Sequence, residues 1–381
     1  MVVGRTTRSI LWTVLAIASA ILLSLILSLI TPAEFRNALN ENVLNTVKTI
    51  YMNALKIIAA PVVLFSIASS ISQLSSLSQL GRIGIKVICL YLITTVIAVI
   101  IGIGMTCLLR PGDPSLAANA VASGAKVTAQ SLSVPSLKDM IIGIVPDNLL
   151  KPFLESQMLQ LIFIAVISGI AVGLIGEYSK GLRILFEALN QLFLKITSIF
   201  MRITNFVVFC SVLSLCLTLG AASLVSLLGM VGTFLLCIPC MMLVYSLILL
   251  ISGVNPLKFY RSYTPVMLQV FSIGSSNAAI PLNMDYCKNI MKISPKVYSF
   301  SIPLGATINM DGTCILLAVQ ALTLARIFGA NIPGSMLVSL GVSIIALSIG
   351  APGVPGSGVI MLSMLMNLLG IPMEAITIIM G

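Results

Sequence analysis

The sequence predicts an all-α protein that crosses the bilayer many times, and three observations carry that reading. The chain of 381 residues is 58% hydrophobic and only 8% charged, with mean hydropathy +1.13, far from soluble composition. Its uncharged runs are long: Ser9 to Ala33, Ile57 to Gly81, Val87 to Leu109, Ser156 to Gly176, and Ile203 to Leu257, the last long enough for two crossings. They exceed barrel strands, and helices satisfy the backbone without water. Third, residues 297–325 hold one charge, Asp311, at their midpoint. At ~1.5 Å per residue that stretch spans a bilayer, so a carboxylate falls at membrane depth.

The net charge of +10 reads as topology, and nucleic acid is not an expected partner. With Arg5 and Arg8 inside and strict alternation after them, the inside set also holds Arg82, Lys86, Lys180, Arg183, Lys195, Arg202, Lys258, Arg261, Lys288, Lys292 and Lys296. That is 13 of the 21 basic residues. The expected protein is a multi-pass plasma (inner) membrane protein with a cytoplasmic N-terminus, its basic surplus facing the inner leaflet of the lipid bilayer.

Six ordinary spans come first, near residues 10–30, 45–73, 83–110, 156–177, 200–220 and 225–253. The first exceeds a signal-peptide core and lacks a small-residue cleavage site, so it is read as retained. Pro111 to Glu155 is the longest polar connection, with six prolines or glycines before Ile144, and reads as an external loop. After Lys258 the pattern changes. The apolar segment from Arg261 to Asp285 is interrupted by Gly274-Ser275-Ser276-Asn277. The segment from Ile332 to Leu369 is interrupted by Gly350-Ala351-Pro352-Gly353-Val354-Pro355-Gly356-Ser357-Gly358, which no continuous helix tolerates. Two broken segments at corresponding positions point to a transporter site built from discontinuous helices. Their freed backbone groups must line a cavity, with N–H groups favouring an anion and carbonyls a cation.

Asp311 costs roughly 2.5–3.5 kcal/mol at bilayer depth even on lenient scales. The chain has no histidine and few intramembrane bases, so a permeating cation is the natural neutraliser. The missing histidine also removes the commonest general base, and no serine–lysine dyad lies at membrane depth; the chain is not read as an enzyme. The eight cysteines are scattered through apolar segments. Cys237-x-x-Cys240 has no second pair and reads as packing rather than zinc. A channel remains a rival, distinguished by linear, unsaturable flux.

These residues carry a family likeness. Gly305-Ala306-Thr307-Ile308-Asn309-Met310-Asp311-Gly312-Thr313, the run Ser348 to Gly358 and the serine-bearing segment ending at Pro281 resemble the dicarboxylate/amino acid:cation symporters, the glutamate-transporter family. The likeness extends from the first span to Gly381. It implies a glutamate-transporter-like fold with two re-entrant helical hairpins, assembled as a homotrimer. Residues 1–257 would form six transmembrane helices, with helices 1, 2, 4 and 5 a fixed scaffold and helices 3 and 6 joining the moving domain. Residues 258–381 would form the transport core: hairpin 1 at 258–292, helix 7 at 296–328, hairpin 2 at 333–369, and the start of helix 8 at 370–381. The moving domain would slide across the membrane as an elevator, with hairpin 2 as the external gate.

The resemblance also implies a site. Ser275, Ser276, Thr313, Gly356 and Gly358 would bind a small anionic or zwitterionic substrate, an amino acid or dicarboxylate such as glutamate or aspartate. Sodium, with the proton as alternative coupling ion, would be held in three places, and no cofactor is implied. Gly305 and Asn309 would offer carbonyls to one ion. Carbonyls of Thr307, Ser348 and Ile349 would surround a second, near the Met310 thioether. Tyr91, Thr94, Thr95, Asn309 and Asp311 would hold a third, in keeping with Asp311 as an oxygen ligand for a hard cation.

The sequence departs from the family pattern in three places. The first tip lacks the hydroxyls usual at 274, 277 and 279, and Ala351 stands where threonine is common. The second broken segment is followed only by residues 370–381, about 18 Å of helix, too short for ~30 Å of hydrocarbon. The expectation is therefore that the final helix, which in the family supplies the substrate's amine partner and further sodium ligands, is absent. A chain of these 381 residues alone is then expected to transport poorly, the alternative being a truncated, transport-incompetent family member.

Overall fold

The computed structural model describes residues 2–73, 77–113, 142–155, 157–219, 222–327, 332–349, 351 and 357–369. Every regular element among them is helical. The first half comprises α1 (Val2–Ile30), the short α2 (Ala33–Leu39), a turn of π-helix at Asn40–Leu44, α3 (Asn45–Gln73) and α4 (Leu77–Leu109). Then come α5 (Met158–Leu174), α6 (Ser179–Phe200), α7 (Thr204–Leu219) and α8 (Ala222–Ile251). The second half comprises α9 (Pro256–Ile273), α10 (Ser276–Asn289), α11 (Pro295–Ile308), α12 (Asp311–Ile327), α13 (Gly334–Ile349) and α14 (Ser357–Leu369).

Three described segments, Gly84–Leu109, Leu227–Ile251 and Ser301–Ile327, are long and apolar enough to cross a membrane. Ser179–Phe200 and Asn205–Leu217 form a fourth candidate, bent by 51°. Outward-facing residues such as Leu29, Ile100 and Leu243 are apolar and exposed, as a lipid-facing surface requires. Most of the connection from Pro111 to Glu155, expected to be an external loop, lies outside the described residues.

The structure differs from expectation at two elements. Residues 179–200 were not expected as a helix of their own. Lys180, Arg183, Glu187 and Lys195 interrupt the apolar run, yet α6 lays Phe186 and Phe193 against Phe65 of α3, at ring separations of 5.9 and 5.6 Å. The apolar stripe is helical in period, so burial of one face sets the structure. Helix 7, expected as one span over 296–328, is two helices. Asn309 (φ −98°, ψ 74°) leaves the helical region and α12 restarts at Asp311.

The helices group by contact. α3 packs on α5, α6 and α7, and α7 on α1. α12 packs on α4, α8, α13 and α14, while α10 packs on α9 and α11. Leu317, Ala318, Val319, Ala321 and Leu324 of α12 are fully buried, making α12 the axis of the second group.

Candidate functional site

The break between α11 and α12 organises the site. By the geometry of helix ends, the last carbonyls of α11 and the first N–H groups of α12 lack intrahelical partners. The Gly305 carbonyl is met by the Asn309 N–H at 3.0 Å. The opening therefore presents carbonyl oxygen on one side and the positive end of a helix on the other. Asp311 occupies the first position of α12, where that dipole favours a carboxylate, and is only 5% exposed.

Neutral donors surround the carboxylate. Thr95 Oγ1 donates to Asp311 Oδ1 at 3.0 Å, and Tyr245 Oη of α8 donates to Oδ2 at 2.6 Å. One end of the Asn309 amide lies 3.0 Å from Asp311 Oδ1, 3.2 Å from the Tyr91 carbonyl, 2.9 Å from Thr94 Oγ1 and 3.2 Å from Thr95 Oγ1; as oxygen it accepts from both threonines, and as nitrogen it donates to the carboxylate and the carbonyl. Four oxygens thus converge on one end of the amide. The arrangement is richer in acceptors than in donors, and among the described residues no lysine or arginine bonds to the carboxylate. With the amide oxygen inward, Thr94 and Thr95 donate to it at 2.9 and 3.2 Å while it also faces the Tyr91 carbonyl and Asp311 Oδ1, an oxygen-rich contact that a hard cation would relieve.

Gly305 lets α4 approach. A Cβ at 305 would lie 2.8 Å from Tyr91 Oη, so any larger residue would have to displace the tyrosine ring from α11. The Tyr91 hydroxyl itself donates to the Ser301 carbonyl at 2.9 Å. Tyr91 therefore offers the Asp311 cluster its backbone carbonyl, with its phenol directed elsewhere. Thr94 Oγ1 also donates to the Tyr91 carbonyl at 3.0 Å, and Thr307 Oγ1 to Leu304 at 3.0 Å.

The tip of the first broken segment is a tight reversal. Gly274 caps α9 with φ 61°, a left-handed conformation suited to glycine. Ser275 follows, half-buried, and Ser276 starts α10 with its Oγ 3.9 Å from Met310 Sδ. That contact puts the serine tip beside the α11–α12 break. Thr313 is half-buried on the first turn of α12. Ser348 is fully buried at the end of α13, with its carbonyl accepting from Ala351 N at 3.1 Å, and Ile349 ends that helix. Gly358 opens α14 against α12, where a Cβ would meet Leu316 Cδ2 at 3.1 Å. Gly356 and residues 370–381 lie outside the described residues.

Thr94, Thr95, Asn309, Asp311 and the Tyr91 carbonyl thus form one contact set, and Ser276 with Met310 forms a second beside it. Sequence reasoning missed Tyr245. Its signal was present: it is the single tyrosine in the uncharged run from Ile203 to Leu257.

A helical membrane protein that opens a crossing helix around a buried carboxylate ringed by neutral oxygens offers the oxygen-rich chemistry that a hard cation prefers. The profile of the sodium:dicarboxylate symporter family matches residues 10–381, and the chain belongs to that family. It is 26% identical over 371 residues to the proton/sodium-glutamate symport protein of Bacillus subtilis (strain 168), covering 96% of this chain and 86% of that protein. The protein of the same name from Geobacillus stearothermophilus is 27% identical over 378 residues, with 96% and 88% covered. The C4-dicarboxylate transport protein of Bordetella avium (strain 197N) is 26% identical over 341 residues, with 87% and 75% covered. Transport, not enzymatic turnover, is the family's activity.

Proposed function

We propose that this chain carries a small carboxylate substrate, glutamate, aspartate or a C4-dicarboxylate, across the plasma membrane together with sodium. The single observation behind this is the convergence of four oxygens on the Asn309 amide beside Asp311. In this reading a sodium ion enters that cluster, the amide turns its oxygen inward, and Asp311 supplies the balancing charge. The Gly305 and Asn309 carbonyls hold a second ion. The Thr307, Ser348 and Ile349 carbonyls near Met310 hold a third. Ser275, Ser276, Thr313, Gly356 and Gly358 bind the substrate.

The contact between Ser276 and Met310 supports a coupling between substrate and ion, since the two groups touch. Such coupling must be reciprocal. α4, α8 and α9–α14 are then the moving domain and α1, α3, α5, α6 and α7 the scaffold, a division favoured by how the helices group. The elevator motion, the homotrimer and the cytoplasmic N-terminus belong to the same proposal. Family membership favours it over a transport-incompetent form.

Uptake of labelled glutamate, aspartate and succinate into vesicles under an imposed sodium gradient tests it. Saturable uptake that collapses without the gradient is expected, with substrate affinity rising with sodium. Flux that stays linear in substrate would instead indicate a channel. Substrate affinity indifferent to sodium would remove the ion assignment.

A further inference from the structure

The Asp311 carboxylate is not symmetrically used. Thr95 and Asn309 address Oδ1, on the side where the Tyr91 carbonyl and Thr94 also converge. Tyr245 donates to Oδ2 at 2.6 Å. Tyr245 comes from α8, an element that gives nothing else to this cluster among the described residues. The next residue ties α8 to the first arm of the broken segment, with Ser246 Oγ donating to Tyr260 Oη at 3.3 Å and Tyr260 Oη to the Met242 carbonyl at 3.0 Å. The phenol thus projects from a helix braced on its far side.

We propose that Tyr245 is a positioning residue for the coupling cation: its hydroxyl pins Oδ2, so that Asp311 presents one fixed oxygen, Oδ1, to the ion. This inference rests on the cation-site reading above and deepens it. A carboxylate free to turn about its terminal bond can offer both oxygens and adapt to cations of different radius. One held by a short, charge-assisted hydrogen bond cannot. The pinned geometry therefore confers discrimination by ion size as well as affinity. Because the phenol donates and the carboxylate accepts, the bond persists whether or not an ion sits at Oδ1.

The test compares wild type, Tyr245→Phe and Asp311→Asn as purified protein, titrated with sodium chloride and lithium chloride by calorimetry without substrate. Tyr245→Phe is expected to weaken sodium binding roughly tenfold while weakening lithium binding less, so that the sodium-to-lithium ratio shrinks. Substrate affinity at saturating sodium should stay within about twofold. Should the Phe variant not be recovered as a monodisperse species, Tyr245→Met and Tyr245→Leu also lack the hydroxyl, and the same loss is expected in whichever folds. A purely structural tyrosine would lower the melting temperature and leave both ion affinities and their ratio unchanged; that outcome overturns the proposal. If wild type and Asp311→Asn bind sodium equally, the cation site itself is misassigned, and the failure lies with the underlying reading.

Discussion

Among the described residues two charged side chains, Asp311 and Lys48, are buried, and they are treated in opposite ways. Asp311 is 5% exposed and Lys48 6%. Lys48 lies inside α3, an unbroken helix, and its Nζ donates to Ser214 Oγ at 2.7 Å, which in turn donates to Asn40 Oδ1 at 2.6 Å. This chain of donors ends on an amide in the π-helical turn before α3. Asp311 lies where the backbone has come apart, next to an amide whose two ends can be exchanged. Burial of a charge alone therefore does not mark a site. What marks one is a buried charge whose surroundings can change partners without unfolding. Lys48 has a fixed solution; Asp311 has one that a cation can improve.

The strongest way to break this contrast is to remove the charge at Asp311 alone. Asp311→Asn keeps the shape, and its amide can accept from one of the Thr95 and Tyr245 hydroxyls and donate to the other, so the helices should assemble. Losing the ion's only carboxylate partner in this cluster should cost about 3–5 kcal/mol of sodium binding, more than a hundredfold in affinity. Calorimetric sodium titration of the folded variant measures it. A change under threefold would place Asp311 with Lys48 as a structural charge.

Asp311 was legible because composition alone isolates a charge in an apolar span, and the broken segments around Gly274 and Gly350 because glycine and proline exclude a continuous helix. The break at Asn309 was not. Asn-Met-Asp-Gly contains no proline, and intrinsic propensities differ by under about 1 kcal/mol per residue, so tertiary contacts with Tyr91, Thr94 and Thr95 decide it. Such contacts leave no periodicity in the sequence. Tyr245 was missed for the same reason: it sits 66 residues from its partner, and a lone phenol in an apolar helix looks like packing. Helix α6 is hidden by its charges, because its apolar residues recur at helical period without forming a continuous apolar run.

The second test strands the lysine instead. Ser214→Ala removes the hydroxyl that Lys48 Nζ donates to and that itself donates to Asn40. An abandoned buried polar partner costs about 1–3 kcal/mol. The expected outcome is a lowered thermal midpoint with sodium affinity unchanged, because the Lys48 chain runs through α3 and α7 and does not touch the α11–α12 break. A drop in sodium affinity would mean that the two buried charges communicate, and the comparison would have to be redrawn as one network.

The smallest effect expected is also the sharpest discriminator. Lys48→Met removes the charge but preserves most of the side chain's length and apolar stem. Replacing a buried charge by a hydrophobic side chain of similar volume is often neutral or stabilising. Ser214 keeps its bond to Asn40, and only the acceptor role of its hydroxyl toward Lys48 is lost. The thermal midpoint should therefore move by no more than the equivalent of about 1 kcal/mol, in either direction, and sodium-driven uptake should match wild type. The same charge-removing logic applied to Asp311 is expected to weaken sodium binding more than a hundredfold, so the pair of variants isolates what the helix break adds to burial. If Lys48→Met instead halted transport while remaining folded, Lys48 would be a working charge in its own right, and an unbroken helix would no longer distinguish a structural charge from a functional one.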